Sequence, residues 1–98
     1  MLKKNYTKTG QFCRVTFKVL PDVDARKVVL CGNFNDWSKK ATIMKQLKDG
    51  SFSITVTLPA NNLYRFKYYL GAHRWENDWD ADGYIRNDFG SEDSLLKV

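Results

Sequence analysis

The chain predicts an all-β protein, an antiparallel β-sandwich of two sheets. Three observations point there. Apolar and polar residues alternate with period 2 over 12–19, 51–58 and 63–70. Turn-forming residues separate these runs, with Pro21-Asp22, Asp49-Gly50, Pro59 to Asn62 and Gly71-Ala72 between them. No segment carries a helical period. A hundred or so residues is the usual size of such a sandwich, and at 98 residues there is room for one core.

The elements follow in order. In Phe12 to Val19, Cys13, Val15, Phe17 and Val19 share one face, and Arg14, Thr16 and Lys18 the other. That is a half-buried strand. Lys27 to Cys31 is β-branched and apolar on both faces, which suits a central strand. Gly32 opens a polar turn through Ser38. Ile43, Met44 and Leu47 give a weaker short element. Phe52, Ile54, Val56 and Leu58 alternate with serine and threonine, the cleanest strand pattern in the chain. Tyr64, Phe66, Tyr68 and Leu70 then face in, while Arg65, Lys67 and Tyr69 face out. Trp75 belongs on the returning side of the Gly71-Ala72 turn. An irregular acidic stretch covers Glu76 to Gly83, and Ser94 to Val98 closes the sheet. The single domain is expected over 1–98, with 1–10 as a flexible N-terminal arm.

The net charge is +5, unevenly placed. Residues 1–75 carry 14 lysines and arginines against 4 acids; residues 76–98 carry 2 against 7. An acidic quarter repels phosphates, so the basic body does not predict a nucleic-acid binder. One histidine and two cysteines, with no Cys-x-x-Cys, cannot supply a zinc site of nitrogen and sulfur ligands. Cys13 and Cys31 read as buried thiols, with their pairing left open. The N-terminus lacks the apolar run of a signal peptide, and no stretch has transmembrane length. A cytoplasmic protein without membrane contact, metal or cofactor is the expectation.

Two features suggest a site. Trp37 lies in a polar turn, and Trp75 follows His73-Arg74 beyond a hairpin turn. Two readings stand for each ring. It caps one end of the core, or it lies exposed and stacks on the C–H face of a pyranose. The second feature is Asp78-Trp79-Asp80-Ala81-Asp82-Gly83, which begins like a calcium loop. Its twelfth position is Phe89, where a bidentate glutamate is required, and no helices flank it. A solvated loop is the better reading. No nucleophile, histidine and acid can be assembled into a catalytic group, and carboxylates on one short loop do not make a glycosidase cleft.

Several segments in order, however, resemble a known family. These are Val28-Val29-Leu30-Cys31-Gly32-Asn33-Phe34-Asn35-Asp36-Trp37, Tyr64-Arg65-Phe66-Lys67-Tyr68-Tyr69-Leu70, Arg74-Trp75, and the ending Phe89 to Val98. They are similar to the glycogen-binding and isoamylase N-terminal domains that form carbohydrate-binding module family 48. That family includes the glycogen-binding domain of the AMP-activated kinase β subunit and the early-set domains preceding branching and debranching enzymes. The resemblance covers about residues 12–98. It implies an immunoglobulin-like early-set sandwich that binds α-1,4-glucan without catalysis. It further implies that Trp37 and Trp75 stack on glucose rings and that Lys67 hydrogen-bonds hydroxyls. Phe89, Ser91 and Asp93 match the bulky, hydroxyl and asparagine positions of the family's last loop. At Asp93 a carboxylate replaces the amide, so a donor is lost. The implied partners are an α-glucan polysaccharide or oligosaccharide and a glycogen-metabolising enzyme or kinase. One such enzyme is a glycoside hydrolase family 13-type chain. A second reading keeps the sandwich as a docking domain for such an enzyme, with sugar binding weak or lost.

Overall fold

The computed structural model describes residues 2–98. It is a sandwich of two antiparallel sheets. The first sheet runs β1 (Leu2–Tyr6), β2 (Phe12–Val19), β5 (Phe52–Pro59), β4 (Lys45–Gln46). The second runs β3 (Val29–Gly32), β6 (Leu63–Gly71), β9 (Glu92–Lys97), β8 (Gly83–Arg86). The short strand β7 (Arg74–Glu76) also pairs with β6, beyond the reach of β9 and on the same edge.

The alternation sets the faces. On β2, Cys13, Val15, Phe17 and Val19 are buried while Arg14 is exposed. On β6, Phe66, Tyr68 and Leu70 are buried, and Arg65, Lys67 and Tyr69 lie on the other face. The sheets meet where Phe17 of β2 packs edge-on against Phe66 of β6, ring centroids 5.1 Å apart. Phe34 and Tyr68 extend this aromatic layer. Edge-to-face packing suits the ring quadrupoles and adds to the burial energy. Cys13 and Cys31 are both buried and free. Burial pushes the Cys31 thiol up to about 11, against a smaller opposing pull from Lys39.

Four expectations change. Val29–Gly32 is fully buried, yet β3 is an edge strand rather than a central one. Its apolar character has another cause: residues 42–44 strap its open side. Leu30 N–H donates to Thr42 O, Met44 N–H donates to Val28 O, and Val29 bridges Ile43. That strap also covers an edge that would otherwise invite another strand. The weak element predicted around 43–47 reduces to the two residues of β4. Leu2–Tyr6, expected within a free arm, is a strand in full register with β2. Backbone pairing and the Lys4–Asp82 ion pair at 2.6 Å hold it, neither of which shows as an apolar pattern. Gly83, expected to end the irregular stretch, instead opens strand β8, which pairs with β9.

One glycine is set by close approach. A Cβ on Gly32 would sit 2.6 Å from the Arg65 carbonyl oxygen and 2.4 Å from the Phe34 ring. Backbone cannot yield as a side-chain tip can. Gly32→Ala is expected to cost about 1–3 kcal/mol as overpacking. The check is the urea midpoint; an unchanged midpoint contradicts the close approach.

Candidate carbohydrate-binding site

The outer face of the second sheet carries a cleft of about 510 Å³. It is built from the turn after β3, strand β6, strand β7 and the β8–β9 loop.

The turn after β3 presents Trp37. The Gly32 carbonyl accepts both Asn35 N–H at 3.1 Å and Trp37 N–H at 2.8 Å. The Asn35 carboxamide braces the turn from inside. Its oxygen accepts Gly32 N–H, and its nitrogen donates to Leu30 O and Thr42 Oγ1. Asp36 and Trp37 both take left-handed backbone, at φ 56° each. Two successive non-glycine residues there carry strain that the surrounding bonds must hold.

The β6–β7 hairpin presents Trp75. Ala72 and His73 at its tip have φ of 50° and 61°. Positive φ at both central residues is the type I′ geometry of a two-residue hairpin. Trp75 stands opposite Tyr69 on the outer face, centroids 4.8 Å apart and planes tilted by 51°. Lys39 Nζ lies over both rings, 4.9 Å from Tyr69 and 5.6 Å from Trp75. Trp37 and Trp75 are each half-buried, so neither is wholly a core cap.

The β8–β9 loop turns on Asn87. Its carboxamide oxygen accepts Phe89 N–H at 2.9 Å and Ser91 N–H at 3.2 Å. Its nitrogen donates to Ser91 Oγ and Asp93 Oδ1, both at 2.9 Å. Phe89 is thereby held at the loop tip, 91 % exposed. Lys67 Nζ donates to Ser91 Oγ at 3.3 Å. Asp93 is buried, with Oδ2 3.9 Å from Arg65.

Trp37, Lys67, Trp75, Phe89, Ser91 and Asp93 all line this one cleft, together with Arg65, Asn87 and Asp88. Sequence reasoning does not single out Asn87. Its signal is the Asn-Asp-x-Gly-Ser turn chemistry, an asparagine able to bond backbone two residues on. Asp93 is spent on Asn87 and Arg65, so it orders the loop. Donors that remain for a ligand come from Arg65, Lys67 and the indole N–H groups.

The acidic segment is placed elsewhere. Asp78 is buried, and its carboxylate accepts the Tyr68 hydroxyl at 2.6 Å. Burial, with Asp78 alongside, pushes the Tyr68 hydroxyl far above its ordinary range. Asp82 accepts Lys4 Nζ and Lys97 N–H. Among the described residues, no three acids, histidines or cysteines converge as a metal cluster. Millimolar calcium is therefore expected to leave the melting temperature unchanged; a stoichiometric calorimetric titration contradicts this.

Among the described residues no helix is long and apolar enough to cross a membrane. A comparison with curated proteins finds no match. The family model for carbohydrate-binding module 48, the isoamylase N-terminal domain, matches residues 6–85. Trp37, Lys67 and Trp75 fall inside the match, and Phe89, Ser91 and Asp93 lie beyond it. With most of its length matched and its strands closed into two packed sheets, the chain belongs to the carbohydrate-binding module 48 family.

Proposed function

We propose that the cleft between Trp37 and Trp75 binds an α-1,4-linked glucan of the glycogen or starch type, without catalysis. The observation that carries this is the meeting of two half-buried indoles with Lys67 in one open cleft. An indole face buries the C–H face of a pyranose, at about 25 cal/mol per Å² of apolar area removed from water. Lys67 and Arg65 supply donors for hydroxyls at the ring edges. Stacking tolerates many pyranoses, so selectivity comes from the path between rings on separate elements. A curved α-1,4 chain reaches both; a straight β-1,4 chain reaches one. Lys39 over Trp75 shifts aside or joins the ligand's edge. Any chemistry on the held glucan belongs to another domain or chain, such as a glycoside hydrolase family 13-type enzyme or a kinase of glycogen metabolism.

Affinity electrophoresis tests this. Migration is expected to slow in gels containing glycogen or amylopectin and not in gels without polymer. Equal migration in all three contradicts the reading and leaves a docking domain. Lys67→Ala is expected to weaken retardation only severalfold, since an exposed hydrogen bond nets about 0.5–1.5 kcal/mol. A loss as large as that of either tryptophan contradicts this ranking.

A further inference from the structure

Trp79 takes no part in the cleft just described, yet it is 66 % exposed. Its base is fastened. The preceding Asp78 is buried, its carboxylate accepting the Tyr68 hydroxyl and Asp80 N–H at 2.8 Å, while its own N–H donates to Ser94 Oγ at 2.9 Å. The backbone that carries this exposed indole is therefore tied, which lowers the ordering cost of binding.

This ring borders a second cleft, of about 650 Å³. Arg74 also lines it, donating to Val23 O at 3.0 Å and Asp24 O at 3.1 Å and so tying the 20–24 segment to the β6–β7 hairpin. Asp22, Asp24 and Glu76 line it, and among the described residues no hydrogen bond or ion pair engages their carboxylates. Strand alternation makes the hairpin a shared wall. Trp75 lines the first cleft, while its neighbours Arg74 and Glu76 line the second.

We infer that the Trp79 cleft is a second pyranose subsite, which rests on the glucan reading of the first. Trp79 stacks on a sugar ring, and the unengaged carboxylates accept its hydroxyls. Those carboxylates repel phosphate. Lys18 and Arg74 in the same lining offset two of its four acidic charges, which weakens its pull on a cation. A neutral polyol with one apolar face suits both conditions. Clefts on either side of one hairpin engage two stretches of a polymer at once, which multiplies affinity through effective concentration. A short oligosaccharide gains nothing from the pair.

The test follows the three indole N–H signals by NMR in a maltoheptaose titration, assigned with single tryptophan variants. Trp37 and Trp75 are expected to shift with one dissociation constant and Trp79 with a weaker one. Trp79→Ala is expected to leave maltoheptaose affinity at the first cleft unchanged and to weaken glycogen binding about tenfold or more. A Trp79 signal that stays fixed while the other two saturate overturns the second subsite alone. No movement of any signal overturns both readings. A Trp79 signal that moves with tetramethylammonium and not with maltoheptaose makes the cleft a cation site and overturns this inference.

Discussion

Phe66→Ala is expected to lower the unfolding free energy by about 3–5 kcal/mol. The ring is fully buried at the junction of the two sheets. It touches Phe17 of the opposite sheet and Tyr68 of its own strand, at centroid distances of 5.1 and 5.7 Å. Truncation removes the transfer energy of the ring and leaves a cavity that two hydrogen-bonded sheets cannot close. A domain of this size has on the order of 5–15 kcal/mol in total, so the variant is expected to melt far lower. Urea denaturation measures it. A midpoint equal to the parent's shows that Phe66 does not join the sheets.

Trp37→Ala and Trp75→Ala are each expected to weaken glucan binding about tenfold or more, and the double variant further still. Burying an aromatic face contributes on the order of 1–3 kcal/mol, and tenfold is 1.4 kcal/mol. The rings sit on separate elements, the β3–β4 loop and β7, so each loss acts on a different stretch of ligand. Both are half-buried, so circular dichroism must show each variant folded. Folded variants that bind β-cyclodextrin as the parent does contradict the assignment.

The sandwich was legible because β2 and β6, the strands that carry its core, alternate with period 2. Cys13 to Val19 and Tyr64 to Leu70 face as the alternation demands. The edges were less so. β1 holds its place by backbone bonds and the Lys4–Asp82 pair, and alternation reports neither. β3 looks central because the 42–44 strap buries what an open edge leaves wet. In the candidate site, Trp37, Lys67 and Trp75 stand out as rings or charges where core residues are not wanted. Asn87 does not, since its work is done through four hydrogen bonds within its own loop. Asp93 shows the converse. A substitution that reads as a lost donor is, in three dimensions, an acceptor for Asn87 that faces Arg65. Trp79 lies inside an acidic segment whose calcium-like spacing points to the carboxylates and not to the ring.

The most direct measurement is calorimetric titration of the parent protein with maltoheptaose and, separately, with cellohexaose. A cleft that reads the curved path between Trp37 and Trp75 is expected to bind the α-1,4 oligosaccharide at least about tenfold more tightly, the contribution of the second ring. Equal affinity for the two, tighter binding of the β-1,4 chain, or no heat from either contradicts it.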